Sequence, residues 1–532
     1  MERVNLLENI IIKNGEIIDG TGKPGYNADI VIEKDRIASI GNTDSKNAEN
    51  VLDASGLVVA PGFVDIHSHS DYYLLIDPRA ESKIMQGVTT EVGGNCGYSA
   101  APIFGELLKE RRKSYLEQFD IYLNWTDLSG YYEKLKEKGT AVNFAPLIGH
   151  NTVRASIMGY DDSVPGANEI KKMELIVLEA LKQGAFGMST GLIYPPSCYS
   201  KTEELIRLYK VVEESDGLFT CHMRSEGEKL LEAIEETIQI GQKTGVRTQI
   251  SHLKTAGKKN WNKIDQALSL IETALENGLD IACDRYPYTA SNTGLSALLP
   301  AWAFEGGIEK QMKRLQDKST RESIKKEIIK NHPEEEHWHT VMISQVVSSK
   351  NKDLEGKKVS EGAESRNKDI FDFIFDLLVE ERSQVEAIYF CMCEDNFREI
   401  IKKDYVMIGS DSGAKSINGP LENGTPHPRG FGSYPRVLGK YVQDENIFSL
   451  PVAIKKMTSD PCSRLKLTER GIIKKGNYAD IVIFNPKEIK DTATYENPKQ
   501  YPVGMEYVFV NGKMAVKKGK STGVFAGRGL KK

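Results

Sequence analysis

His67-Ser68-His69 puts two imidazoles two residues apart at the end of a short apolar run. Imidazole is a common ligand for zinc and other transition metals. On an extended strand, residues i and i+2 face one side, so both rings would point the same way. Taken alone, the motif is equally well explained by two hydrogen-bonded core histidines. Three more ligand-type side chains, Cys96, His222 and His252, close similar apolar runs elsewhere. Two buried imidazoles without partners would be costly, and a metal resolves that cost. Asp411 closes a further run, VMIGSDSG. A carboxylate there can ligate weakly or act as general base toward a metal-activated water. The ordinary alternative for Asp before Ser-Gly is a helix N-cap or Asx-turn. The company of five ligand candidates weighs against it.

Other residues of the same types read differently. His337-Trp338-His339 repeats the spacing, but it follows three glutamates and reads as a solvated, charged connection before the apolar run TVMISQVV. His150 ends a strand-like run, and its reading is a hydrogen-bonded rather than ligating ring. Cys221 neighbours His222 and would point the opposite way on a strand, into packing. Cys391 and Cys393 have no nearby histidine and read as structural.

These residues need a scaffold that brings distant strand ends together. Eight apolar runs read as strands: 62–69, 89–96, 143–150, 185–192, 218–224, 247–254, 279–286 and 404–411. Amphipathic helical patterns fall between several of them, at 168–184, 229–245 and 263–278. Strands alternating with helices imply a parallel sheet, and eight of them imply an α/β fold of the TIM-like (β/α)8 barrel type. Active sites of such barrels sit at the C-terminal strand ends, where the ligand candidates fall. The charged stretch at about 300–385 breaks the alternation between strands seven and eight and reads as a mainly helical insertion. Both chain ends are rich in β-type runs and tight turns such as Asn14-Gly15 and Asn511-Gly512. The expected organisation is a small β-sandwich domain from residues 1–60 plus 468–532, and a (β/α)8 barrel over 61–467.

Composition narrows the partners. With 70 basic and 75 acidic residues, the net charge of −5 advertises neither nucleic acid nor an anionic membrane. No apolar run approaches the ~18 residues a bilayer requires. The start has no signal-peptide pattern, and seven scattered cysteines without a CxxC pair suit a reducing compartment. The expected location is cytoplasmic. Oligomeric state is not legible.

The longer motifs carry a resemblance. APGFVDIHSHSD (60–71), GNCGYS (94–99), GHNTVR (149–154), STGLIYPP (189–196), HMRSEG (222–227), SHLK (251–254), DRYPYTA (284–290), GSDSGA (409–414), HPRGFGSYPRVLG (427–439) and RGIIKKGNYADIVIFNP (470–486) run nearly end to end. With them the chain resembles the amidohydrolase superfamily, and within it the N-acyl-D-amino-acid deacylase (D-aminoacylase) family. The HxH and ADIV elements are shared across the superfamily, whereas GNCG, SHLK, YPYTA and HPRGFG are more particular to the deacylases.

The resemblance implies zinc-dependent hydrolysis of small N-acyl-D-amino acids. It implies one tightly bound zinc on Cys96, His222 and His252, and a second, weaker metal site on His67 and His69 with Cys96 bridging. It makes Asp411 the general acid/base, and Lys254, Tyr194 and Arg429 the binders of the substrate carboxylate. Ser412 departs from the Gly that many relatives carry after this Asp. Cyclic-amide hydrolases such as dihydroorotases and hydantoinases are the near alternative, but they usually bridge two metals with a carbamylated lysine at the end of the fourth strand. Here that strand ends in Ser189-Thr190-Gly191. A non-catalytic scaffold is the more distant alternative, and an intact set of six site residues argues against it. Whether Tyr286 or Tyr288 reaches the developing oxyanion stays open, because Pro287 disturbs simple alternation.

Overall fold

Strands buried on both faces are written as near-continuous apolar runs, and such runs form the centre of this molecule. The structure, a computed structural model, describes residues 10–42, 50–332 and 335–532. Parts of the expected small β-domain, residues 1–9 and 43–49, lie outside them. Phe63–Asp65, Val88–Gly93 and Asn143–Pro146 form one parallel sheet. Ile148–Gly149, Gly187–Gly191, Leu218–His222, Arg247–Ile250, Ile281–Arg285 and Val406–Ile408 form a second, parallel and in chain order. The two sheets adjoin at Leu147, whose N–H donates to Gly93 O at 2.9 Å. At the far edge Ser68 and Ser412 make a parallel bridge, and Asp411 N–H donates to His67 O at 2.8 Å.

Between the strands run amphipathic helices. In Leu230–Thr244, Leu230, Ala233, Ile234, Thr237, Ile238 and Gly241 are buried, one face at helical spacing. Gly245 then ends the helix at φ +77°, a left-handed cap that glycine adopts without strain.

The insertion is more than helical. Helices Ile308–Gln316, Lys318–Asn331, Val359–Ser365 and Ile370–Glu380 accompany an antiparallel sheet of Ser291–Gly294, Glu386–Tyr389 and Val341–Gln345. One outer strand, Ser291–Gly294, lies before 300 and the central strand, Glu386–Tyr389, after 385, beyond the expected limits. They were hidden because short polar strands such as SNTG carry little β-type pattern. Leu315, Ile324, Ile343, Ile374 and Leu378 form part of an apolar cluster separate from the one under the central strands.

The chain ends meet in one sheet: Val58–Pro61 pairs with Ile481–Phe484 antiparallel and with Glu16–Ile17 parallel. A four-stranded sheet of Arg36–Gly41, Asp29–Glu33, Ile10–Lys13 and Asn50–Asp53 lies with it, and Ile12, Ile30, Ile32, Val59, Ile481 and Phe509 share one buried cluster.

Candidate metal centre and active site

The site residues stand at or just beyond C-terminal strand ends. His222 is the last residue of its strand, Leu218–His222. The others lie further along than the sequence suggests, because the strands stop early: Phe63–Asp65 ends before His67, Val88–Gly93 before Cys96, Arg247–Ile250 before His252 and Val406–Ile408 before Asp411. Strand alternation therefore does not align His67 with His69, or His252 with Lys254. Turn geometry does. Cys96, His252 and Asp411 all hold positive φ, +50°, +37° and +51°. Such backbone costs about 1–3 kcal/mol per residue and persists where surrounding structure over-determines it, typically at functional sites.

The side chains converge on two ligand groups that share Cys96. One is Cys96, His222 and His252; the other is His67, His69, Cys96 and Asp411. In the first, His252 Nε2 and His222 Nδ1 are 3.0 Å apart and each lies 3.4 Å from Cys96 Sγ. In the second, His67 Nε2 is 3.3 Å from Cys96 Sγ, and His69 Nε2 is 3.0 Å from Asp411 Oδ1. Burial opposes ionisation of the Cys96 thiol, but His67, His252 and His222 outweigh it and bring the thiol well below its ordinary range. A thiolate is the form that binds metal.

Second partners fix the rings. Asp284 Oδ1 lies 2.9 Å from His67 Nδ1 and accepts from His252 N–H at 2.8 Å, while Gln249 Nε2 donates to Asp284 Oδ2 at 2.6 Å. Glu226 Oε1 lies 2.8 Å from His252 Nδ1. A carboxylate on one ring nitrogen leaves the other to face the metal position. Asp284 and Glu226 were not singled out as site residues in the sequence, although they lie within the DRYPYTA and HMRSEG segments. Deeper still, the buried Lys83 ammonium pairs with Asp65 at 2.7 Å and Glu91 at 2.9 Å, and Ser410 joins them.

The remaining expected residues are placed as follows. Arg429 Nη1 is 2.7 Å from Asp411 Oδ2. Burial would raise the Asp411 carboxyl, but Arg429, His252 and His69 hold it well below the usual range, so it is ionised. Lys254 is also buried, but its ammonium already pairs with Glu226, so the expected free clamp is a pair in this structure. Tyr194 packs its ring edge on His222, centroids 5.0 Å apart, and its hydroxyl bonds Thr293 Oγ1 at 2.8 Å. Tyr286 and Tyr288 separate. The Tyr288 hydroxyl donates to Asp491 at 3.3 Å. Among the described residues the buried Tyr286 hydroxyl has no hydrogen-bond partner, and the Arg429 guanidinium lies 4.6 Å from its ring centre.

The contrasting residues divide. His150 bonds Ser197 Oγ at 2.6 Å and Glu204 Oε1 at 3.1 Å, a buried hydrogen-bonded ring as expected. Cys221 is buried and accepts from Thr190 and Thr237. His339 is exposed, as expected, but His337 is half-buried. It stacks on His332 with centroids 4.2 Å apart, beside the buried Trp338. Charged neighbours in sequence masked the apolar face that this short 3₁₀ segment turns inward.

An amidohydrolase family model covers residues 50–516. The chain belongs to the amidohydrolase family. It is 36% identical to a D-aminoacylase of Alcaligenes xylosoxydans xylosoxydans, over 98% of this chain and 97% of that protein. Among solved amidohydrolases, an N-acyl-D-glutamate deacylase from Bordetella bronchiseptica, bound to zinc and a phosphonate mimic of the tetrahedral intermediate, superposes with a TM-score of 0.83. It is 31% identical, over 99% of this chain and 100% of that one. A D-aminoacylase with a binuclear metal centre gives the same TM-score at 34% identity, over 99% and 100% of the two chains.

Proposed function

We propose that this amidohydrolase cleaves the amide of linear N-acyl-D-amino acids, releasing a carboxylate and a free D-amino acid. The observation that carries the proposal is a thiolate shared by two ligand groups, the second of which includes an ionised Asp411. Tetrahedral zinc with Zn–N of about 2.05 Å and Zn–S of about 2.3 Å sets its ligands roughly 3.3 Å (N–N) and 3.6 Å (N–S) apart. The 3.0, 3.4 and 3.4 Å separations of His222, His252 and Cys96 suit that metal within a few tenths of an ångström. His67, His69 and Cys96 would hold the second, weaker ion. Zinc bound here would supply a Lewis acid for the scissile carbonyl and lower the pKa of a water.

The chain supplies the proton path and the orientation. Asp411 Oδ1 faces His69 and His67, so it can take the proton of the attacking water. After water adds to the carbonyl carbon, Asp411 returns that proton to the amide nitrogen as the C–N bond breaks, and leaves as the same carboxylate. Arg429 holds Asp411 ionised through Nη1, donates from Nη2 to Asn292 O at 3.2 Å, and offers its remaining N–H donors to a substrate carboxylate. The unpartnered Tyr286 hydroxyl, next to Arg429, is the donor available to substrate oxygen, whereas Tyr288 is taken by Asp491. Lys254 would reach the carboxylate by exchanging its Glu226 partner for it, and Tyr194 packs beside His222.

The same reading closes the two parallel sheets into a (β/α)8 barrel over 61–467, supported by the Ser68–Ser412 bridge. It sets residues 1–60 and 468–532 apart as a small β-domain, supported by their shared apolar cluster.

The test is a panel of N-acyl-D- and N-acyl-L-amino acids, with metal content measured on the same protein. Hydrolysis of the D-isomers alone, by protein carrying about one zinc per chain, is the expected result. Comparable kcat/KM for both isomers, or preferential opening of hydantoin or dihydroorotate rings, overturns it.

A further inference from the structure

Beside His69 the chain forms a cavity of about 170 Å³ that the hydrolytic chemistry does not use. Its walls come from segments following the first three parallel strands: Tyr72, Tyr98, Tyr160, and Arg111 and Tyr115 of the helix Gly105–Phe119. Leu107, Arg111 and Tyr115 are four residues apart, so one helix face carries all three to the cavity. Tyr72 and Tyr115 pack against each other with centroids 4.4 Å apart.

Arg111 is the unusual member. Among the described residues no carboxylate forms an ion pair with it, and the groups that bear most on its charge are the phenols of Tyr115, Tyr160, Tyr72 and Tyr98. Asp71 also lines the cavity, but its carboxylate is engaged by Gly94 N–H at 3.0 Å. A guanidinium half-buried on the wall of a phenol-lined cavity is partly desolvated, a cost that an anion offsets, and its planar fork suits a carboxylate in two parallel bonds.

Position says which end of a substrate enters. The cationic groups assigned to the amino-acid carboxylate follow the sixth and eighth strands, as Lys254 and Arg429. The cavity lies on the side of the first to third strands, with His69 on its wall and Asp411 hydrogen-bonded to His69. An amide cleaved at the metal centre, with its amino-acid end at Arg429, sends its acyl chain toward this cavity. The space far exceeds the ~30 Å³ share of one water, the scale of an acetyl methyl.

We propose that this cavity is the acyl subsite and that it takes acyl groups ending in a carboxylate, of the succinyl or glutaryl class, paired with Arg111. The proposal rests on the deacylase reading above. The test uses the zinc-loaded full chain with N-acetyl, N-succinyl and N-glutaryl derivatives of one D-amino acid, and N-acetyl-D-glutamate alongside. The wild type should favour a dicarboxylic acyl group over acetyl by at least about tenfold in kcat/KM, the scale of one added charge-assisted contact. In Arg111→Gln that ratio should fall to near one through KM, and Arg111→Lys should restore part of it. Zinc content and Tm of each variant report on folding. Succinate should also inhibit more tightly than acetate in the wild type, but not in Arg111→Gln. A wild type that prefers acetyl, or a ratio unmoved in Arg111→Gln, overturns the assignment. So does an Arg111-dependent advantage confined to N-acetyl-D-glutamate, which would give the cavity to the amino-acid side chain. Hydrolysis of none of the derivatives overturns the deacylase reading, and this assignment with it.

Discussion

In the proposed mechanism Asp411 is the residue on which catalysis and metal binding part company. It touches His69 and Arg429, whereas the Cys96-His222-His252 group is complete without it. Asp411→Asn keeps the shape and removes the proton acceptor. We expect kcat to fall roughly 10²- to 10⁴-fold, the usual worth of a positioned acid/base, with zinc retained and KM changed less. Steady-state kinetics with elemental analysis on one preparation checks this, and near-normal turnover in the zinc-loaded variant refutes it. Cys96→Ala should lose both metals, since the thiolate is common to the two groups. Glu226 touches no metal position but orients His252 and pairs Lys254. Glu226→Gln should weaken zinc affinity by about 10- to 100-fold, as removing such an orienting carboxylate typically does. Titration against a competing chelator measures it.

At the scale of elements, the loops after the strands carry the geometry, and they tolerate little change. Gly97 follows Cys96 at φ +81°, and a Cβ there would meet Asn151 Oδ1 at 1.7 Å. Gly97→Ala should displace the Cys96 turn, lowering zinc content as well as Tm. The insertion has its own titrating element. Burial and the neighbouring His332 hold the His337 ring down to about 4. Between that value and the ~6.5 of an unfolded histidine, the unfolded chain binds more protons than the folded one. Stability from this group is therefore full above about pH 6.5 and is lost as pH falls toward 4. His337→Gln should shrink the drop in Tm between pH 7 and pH 4.5. An unchanged pH slope would remove His337 from the account.

For the whole molecule, the C-terminal tail ties the β-rich ends to the central strands. Phe144 N–H donates to Arg528 O at 3.0 Å, Leu530 N–H donates to Phe144 O at 2.7 Å, and Tyr132 OH donates to Leu530 O. The two Phe144 bonds lie on the strand that leads into Leu147 and the third on the helix Leu128–Lys138, with the candidate metal site at the opposite strand ends. Deleting residues 524–532 removes these three bonds and others, among them Gly527 N–H to Thr140 O, Lys532 N–H to Gly184 O and Asn511 Nδ2 to Ala526 O, each worth about 1 kcal/mol. The truncated chain should unfold several degrees lower, with its zinc stoichiometry unchanged, by calorimetry and elemental analysis. Loss of zinc at temperatures where it remains folded would couple the tail to the site. Among the described residues no helix is long and apolar enough to cross a membrane.

Residue types and spacing in the sequence single out the candidate ligands His67, His69, Cys96, His222 and His252, with Asp411. Buried imidazoles, thiol and carboxylate closing apolar runs have few other physical explanations. The alternation of strands and helices was legible because hydrophobic periodicity is a local property. Pairings between distant residues were not. That Asp284 aligns His67, that Glu226 takes the Lys254 ammonium and that Tyr286 rather than Tyr288 keeps a free hydroxyl depend on turns at positive φ after the strands end. Alternation gives no warning of such turns. Arg111 illustrates the same limit: in the sequence it is one basic residue of KERRK on a helix of low apolar content. Only the folding of that helix against Tyr72 and Tyr160 makes it a cation facing a cavity beside the metal ligands. The chemistry of each group is set by its residue type, and its charge partner by the tertiary fold.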